Sequence, residues 1–230
     1  MNKDTKSGKW WDRTWNPVTG CSAVSEGCER CWAARFAKRL AGRYGYPKGE
    51  PFKVTYHRER LEELRHWKKP QRVFVASMSD LFHDEVPIDW HSSIFAAMGA
   101  CPRHTFLILT KRPKRMRKVF DQFFDCPSNC WLGVTAENQA RYDERWPILS
   151  EIPAAVKFVS VEPMLGPVRI RMFESRPDWV IAAPETGPGA RRCEPEWIDD
   201  LAEECGRMKV PFFDKRKTGW IRREFPARTN

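Results

Sequence analysis

The residues best suited to chemistry lie close together near the start of the chain. Cys21, Cys28 and Cys31 fall within eleven residues, in the segment Trp15-Asn-Pro-Val-Thr-Gly-Cys-Ser-Ala-Val-Ser-Glu-Gly-Cys-Glu-Arg-Cys-Trp32. The spacing is C-x6-C-x2-C, and no fourth cysteine or histidine follows closely enough to complete a local tetrahedral zinc site. Three thiolates on a cubane iron–sulfur cluster leave one iron open for a substrate or cofactor. Clusters held only for electron transfer usually have four cysteines. The pattern points to cluster chemistry rather than to a structural staple.

The elements that must position these thiols follow a regular order. Apolar runs bounded by turn signals recur at Trp15–Val18, Val73–Ser77, Thr105–Thr110, Trp131–Thr135, Val156–Val161, Trp179–Ala183 and Val210–Phe213. Helix-like segments separate most of them: Ala33–Tyr44, Trp90–Ala100, Pro113–Phe124, Glu137–Ser150 and Glu194–Met208. Asp89 and Glu194 are the expected helix starts, and Gly206 a late break. Continuous apolar strands alternating with helices predict a parallel sheet covered on both faces. No G-x-G-x-x-G follows the first strand and no Walker loop is present, so the expected fold is α/β, a partial (βα)6-type or near-complete parallel barrel. The chain reads as one domain over residues 1–230. Residues 46–69 form an insertion between the first and second strands, and 217–230 a C-terminal extension.

In a barrel the site lies at the carboxyl ends of the strands, and here those ends are polar. The first run leads into the three cysteines. The later runs end at Ser77, Ser79 and Asp80, at Lys111, at Glu137, at Glu162, at Glu185 with Arg191 beyond, and at Asp214 with Lys215. Any one of these has a plain structural reading as a helix cap or rim salt bridge; the set together argues for a site.

Composition narrows the class of partner. The chain of 230 residues carries a formal charge of +10, with basic clusters at Arg35–Arg43, His57–Arg72, Lys111–Lys118 and Lys215–Arg223. Such a balance suits nucleic acid or a nucleotide, the bland alternative being solvated helix faces. Eleven tryptophans add aromatic surface that could stack on bases, although most must be core. No apolar stretch approaches a membrane span, and Met1–Lys9 has no apolar core of a secretory signal, so a cytoplasmic protein is expected. A monomer or weak dimer is the expected state. In that reducing setting the remaining cysteines read as small buried hydrophobes. Cys126 and Cys130 are the pair that could complete a second site.

The ordered motifs then carry a resemblance. The cysteine segment is followed by Ser77-Met-Ser-Asp-Leu-Phe-His83, Leu109-Thr-Lys-Arg-Pro113 and Trp131-Leu-Gly-Val-Thr-Ala-Glu-Asn-Gln139. After these come Ser160-Val-Glu-Pro-Met-Leu-Gly-Pro167 and Glu185-Thr-Gly-Pro-Gly-Ala-Arg191. From about Trp10 to Lys215 the series resembles the phage-associated three-Cys-motif proteins, a radical-SAM-like family. The resemblance implies a partial TIM barrel with a 4Fe–4S cluster on Cys21, Cys28 and Cys31, whose open iron chelates S-adenosylmethionine. Reductive cleavage of that cofactor would yield a 5′-deoxyadenosyl radical, with an external one-electron reductant as partner. By the same resemblance Trp32, Ser77, Ser79, Asp80, Lys111, Glu137 and Glu162 would serve the cofactor. Glu185, Asp214 and Lys215 would face the substrate, and Arg191 a phosphate.

This chain departs from the pattern in several places. The commonest radical-SAM spacing is C-x3-C-x2-C with an aromatic before the last cysteine; here the first gap is six, Arg30 holds that position and Trp32 follows the cysteine. Within the three-Cys family the usual Gly-Gly-Glu-Ser-Gly becomes Ala183-Pro-Glu-Thr-Gly187. The usual Phe-Phe-Lys-Gln-Trp becomes Phe212-Phe-Asp-Lys-Arg216. Both changes fall on the expected substrate side. The expected reaction is isomerisation of a modified nucleobase, such as a hypermodified thymidine in phage DNA. The alternatives are a radical-SAM repair lyase of spore-photoproduct type and a non-enzymatic nucleic-acid-binding module. That module would hold a structural metal or cluster with a fourth ligand from Cys126, Cys130 or His83.

Overall fold

The computed structural model describes residues 8–122, 125–170, 175–216 and 221–227. Seven strands form one wholly parallel sheet: β1 (Arg13–Trp15), β4 (Arg72–Val75), β5 (Thr105–Thr110), β6 (Cys130–Thr135), β7 (Val156–Val161), β8 (Trp179–Ala182) and β9 (Phe212–Asp214). Each strand neighbours the next in chain order, so the sheet winds in one direction and curls into a half-barrel rather than reversing at a switch point. Among the described residues β1 and β9 do not pair, which leaves the barrel open. The helices α3 (Ile88–Gly99), α4 (Pro113–Phe120), α5 (Gln139–Ser150) and α6 (Pro195–Arg207) connect successive strands. Helix α1 (Trp32–Leu40) follows the cysteines. Residues 46–69 carry β3 (Thr55–Tyr56), a short 3-10 turn and α2 (Glu63–His66).

The period-two alternation of each strand separates two cores. In β5, Phe106 and Ile108 join the layer under the helices, while Leu107 and Leu109 point into the barrel. Likewise Val159 and Val161 of β7 face the helices, and Val156 and Phe158 the interior. Trp131, Trp179 and Phe213 complete the lower interior, with Trp10 packed edge-on to Trp179 at 5.8 Å between ring centroids. Residues 221–225 run back antiparallel along β9, covering that edge, and Phe225 reaches under the Arg72 guanidinium of β4 at 4.0 Å. The lower end of the half-barrel is thereby plugged with aromatic rings, and only the end at the strand carboxyl termini stays open.

Local chemistry explains where the elements differ from expectation. The first run splits into β1 and β2 (Val18–Thr19), which pairs with β3. Pro17 cannot donate to a ladder, and the Asn16 side chain turns to accept from Met78 N–H at 2.9 Å and from Ser77 Oγ at 3.1 Å. Strand β4 stops at Val75 because Ala76 is left-handed, with φ +53°. Helix α1 ends at Leu40 rather than Tyr44, and α6 continues past Gly206 to Arg207. Helix α3 starts at Ile88 behind Pro87, one residue before the expected Asp89, whereas Glu194 does precede α6. The expected end of α4 at Phe124 lies outside the described residues, as do 217–220 and 228–230 of the extension. No helix among the described residues is long and apolar enough to cross a membrane.

Gly133 of β6 is needed for the interior packing. A Cβ there would sit 2.4 Å from the Phe158 ring. Gly133→Ala is therefore expected to cost about 1–3 kcal/mol in urea unfolding. Gly49→Ala, where nothing lies within 4 Å, should change stability by less than ~0.5 kcal/mol.

Candidate active site

A cavity of about 440 Å³ opens at the carboxyl ends of the strands, within the roughly 300–1,000 Å³ of small-molecule sites. Its lip is the cysteine loop: Cys21, Cys28 and Cys31 all line it. Around the rim stand Ser77, Ser79 and Asp80 after β4, Lys111 after β5, Glu162 after β7, Glu185 after β8 and Lys215 after β9. Trp32 lines it from the first turn of α1. Eleven of the fourteen side chains singled out from sequence thus meet at one cavity.

The other three lie outside the lining. Glu137 is completely buried behind the loop, where it accepts from Ser25 Oγ at 2.6 Å and from Arg145 Nη1 at 2.8 Å. Asp214 is buried in a double contact with Arg216. Arg191 donates to Glu185 Oε2 at 3.0 Å and to the Glu26 carbonyl at 2.8 Å, so its guanidinium is engaged within the protein instead of facing an outside phosphate. These three are struts of the rim.

The loop bearing the thiols has little regular structure, only a 3-10 turn at Glu26–Cys28, and is fixed by contacts from four strand ends. From β4, His83 accepts the Glu85 N–H at Nδ1, which leaves Nε2 to donate to Ser22 Oγ at 2.7 Å. Burial holds His83 below its ordinary pKa, which suits this neutral form. From β5, Arg112 donates to the same hydroxyl at 2.8 Å. From β6, Glu137 holds Ser25, while Asn138 and Arg141 hold the Glu26 carboxylate. The Arg141 guanidinium is the main cause of a Glu26 pKa lowered to about 2. From β8, Arg191 bridges Glu185, Glu26 and Glu29. Gly27 lies flat on Glu137, so close that a Cβ would fall 2.3 Å from its Oε1.

Asp80 joins two strand ends: Thr110 Oγ1 and the Lys111 N–H donate to it at 2.7 and 3.0 Å, as does the Phe82 N–H at 3.0 Å. Ser79 Oγ donates to the Gly20 carbonyl at 2.6 Å, directly before Cys21. Glu162 pairs with Lys215, whose ammonium also lies 5.5 Å over the Trp11 ring. Lys111 lines the cavity, half-buried, with no carboxylate partner among the described residues. Among the described residues, two donors within the lining are buried and unpaired: Ser160 Oγ, 0 % exposed, and Trp10 Nε1, 1 % exposed.

The donor types suit a cluster on three protein thiols with a polar molecule beside it. Among the described residues, however, no three His, Cys, Asp or Glu side chains, Cys21, Cys28 and Cys31 included, stand close enough to hold a metal ion: the thiols share the cavity lip without converging. The fourth-ligand candidates lie elsewhere or are engaged. Cys126 and Cys130 sit at the amino-terminal end of β6, opposite the cavity, and both His83 ring nitrogens are hydrogen-bonded. Burial pushes the Cys21 thiol up to about 12, so it would ionise only against a bound metal charge. The orphaned Ser160 hydroxyl and Trp10 indole N–H offer hydrogen bonds to an occupant.

Ser160, Thr135, Trp10, Trp11 and Phe74 line the cavity and were not among the residues singled out from sequence. Ser160 was within reach of it: it stands two positions before Glu162 on the same strand face. Trp10 and Trp11 precede the first strand, and nothing in their spacing signals an inward role.

Over residues 5–230 the chain matches the family described as a protein of unknown function (DUF5131), and it belongs to that family. No curated protein matches it in sequence. Among solved structures it is similar to spore photoproduct lyase complexed with dinucleoside spore photoproduct. That match has a TM-score of 0.52 and 9% identity, covering 86% of this chain and 74% of that one. A cysteine-to-serine variant of the lyase aligns with a TM-score of 0.48 and 13% identity, over 87% of this chain and 54% of that one. The chain thus spans about half the length of that lyase chain, and the likeness is one of fold.

The loop anchoring can be tested directly. Glu137→Ala leaves the buried Arg145 unpaired and releases Ser25, with an expected loss of about 3–5 kcal/mol. Trypsin should then cleave after Arg30 under conditions that spare the parent protein.

Proposed function

We propose that the cavity is the active site of a radical-SAM enzyme acting on a nucleobase. What carries this reading is the placement of three thiols, with no fourth cysteine or histidine beside them in the lining among the described residues, on the lip of a cavity at the strand carboxyl ends of a singly wound half-barrel. Cys21, Cys28 and Cys31 would hold a 4Fe–4S cluster, which with S-adenosylmethionine bound would supply the radical chemistry for hydrogen-atom abstraction from the substrate.

The remaining work falls to this chain's own side chains. Ser77, Ser79 and Asp80 order the rim beside Cys21, with Asp80 held by Thr110 and the Lys111 backbone. Lys111 offers a cation with no competing carboxylate among the described residues, suited to a carboxylate or phosphate. Ser160 Oγ and Trp10 Nε1 offer hydrogen bonds to carbonyl oxygens of a base. Phe74, Trp10 and Trp11 give an apolar wall of rings inclined to one another. That wall excludes water, as a reactive carbon radical requires. Glu162 stands with the cofactor, and Glu185 and Lys215 on the substrate side. Glu137, Asp214 and Arg191 act by positioning.

Within this class we assign isomerisation of a hypermodified thymidine, as in phage DNA, driven by an external one-electron reductant. A second reading is a lyase of spore-photoproduct type. The fold shared with a lyase complexed with a dinucleoside photoproduct favours it.

Anaerobic reconstitution with iron and sulfide should give about four irons per chain. Cys21→Ala, Cys28→Ala and Cys31→Ala should each abolish cluster assembly, and Cys126→Ala should not. The reduced protein should convert S-adenosylmethionine to 5′-deoxyadenosine. Mass spectrometry of modified nucleosides then separates the readings: unchanged mass marks isomerisation, and two thymidines released from a dinucleoside photoproduct mark lyase activity. Zinc in place of iron, held equally by all three variants, would contradict both.

A further inference from the structure

Beyond Trp32, which lines the cavity, its mouth continues into a surface that the active site itself does not require. Among the described residues the exposed large hydrophobic side chains are Val24, Trp32, Phe36 and Tyr44, all within residues 24–44. Trp32 is 55 % exposed, Phe36 43 % and Tyr44 74 %. Trp32 and Phe36 sit one turn apart on α1 with ring centroids 6.4 Å apart. Arg35 and Arg39 complete the same face at the i+3 and i+7 positions, and both are exposed. The opposite face, Ala33 and Ala37, is buried against the protein.

Charge on this face is uncompensated. Among the described residues Arg35, Lys38, Arg39 and Arg43 have no carboxylate within ion-pair distance, although the molecule pairs many of its other arginines. Cations in the last turn complement the carbonyl end of a helix, which accounts for Lys38 and Arg39. It accounts neither for Arg35 nor for two exposed rings beside it. The stripe is also continuous with the cavity: Trp32 lines it, and the Arg35 guanidinium reaches across to the loop after β8, beside Gly187.

We propose that the Trp32–Arg35–Phe36–Arg39 face of α1 is a docking track for single-stranded nucleic acid leading into the cavity. The proposal rests on the nucleobase reading above and deepens it: the substrate base is presented within a polynucleotide, not as a free nucleotide. Rings that stack on bases without regard to sequence, interleaved with guanidinium groups that meet phosphates, are what a single strand requires. An acidic protein would use the charges and leave the two rings unexplained.

The test uses the full-length protein without cluster and a fluorescein-labelled oligothymidylate of ~12 nucleotides, followed by fluorescence anisotropy over a range of salt concentrations. Saturable binding is expected, weakened about 5- to 100-fold by Phe36→Ala. Replacing both Arg35 and Arg39 by Gln should reduce the slope of log affinity against log salt by about 1.4. Lys118→Gln, exposed on α4, should leave affinity unchanged. No binding by the parent protein would overturn the proposal, as would binding indifferent to the α1 substitutions or polyglutamate competing as well as unlabelled oligothymidylate. Because this readout needs no cluster, its failure alongside normal 5′-deoxyadenosine formation would remove the track and leave the enzyme reading in place.

Discussion

A carboxylate with no solvent exposure holds the functional end of this protein together. Glu137, just past the end of β6, accepts from Arg145 on the following helix and from Ser25 in the cysteine loop, while Gly27 rests against it. The three thiols belong to a segment with almost no regular structure of its own, and its backbone cannot fix their positions. The strand ends do that instead, through His83, Arg112, Glu137, Arg141 and Arg191. Each of these contacts satisfies a polar group that would otherwise be partly desolvated at the rim. A buried ion pair is costly to assemble and more costly to break on one side, so the arrangement favours a single loop conformation over a stability gain.

The half-barrel makes this anchoring possible. Parallel strands in chain order bring every carboxyl end to the same side, and the period-two alternation sends one residue set to the helices and the other inward. Toward the lower end the inward set is aromatic, with Trp131, Trp179, Phe158 and Phe213 closed off by Trp10 and Phe225. Toward the open end it turns polar, with Thr135 and Ser160. The cavity is therefore the place where one strand face changes from apolar to polar.

Much of this was legible in the chain. Strands β5 and β7 fall on the apolar runs residue for residue, because burial on both faces leaves continuous apolar runs with sharp polar ends. Those ends mark the rim, so most of the chosen side chains converge on it. What failed to show was the division of labour among them. Glu137, Asp214 and Arg191 look like Glu162 or Lys111 in sequence, yet they lie outside the cavity lining because other groups hold them: distant Ser25 for Glu137, neighbouring Arg216 for Asp214, and Glu185 with the distant Glu26 carbonyl for Arg191. The split of the first strand at Asn16-Pro17 and the left-handed Ala76 were also hidden, since both depend on side-chain contacts between segments some sixty residues apart.

The central claim is that the three thiols hold a cluster with one open iron, and electron paramagnetic resonance of the reduced protein tests it most directly. The spectrum of a reduced 4Fe–4S cluster should change when S-adenosylmethionine is added to the reconstituted protein, as expected where the cofactor occupies that iron. A cluster spectrum unaltered by saturating cofactor would contradict the account and leave a metal-stapled binding module in its place.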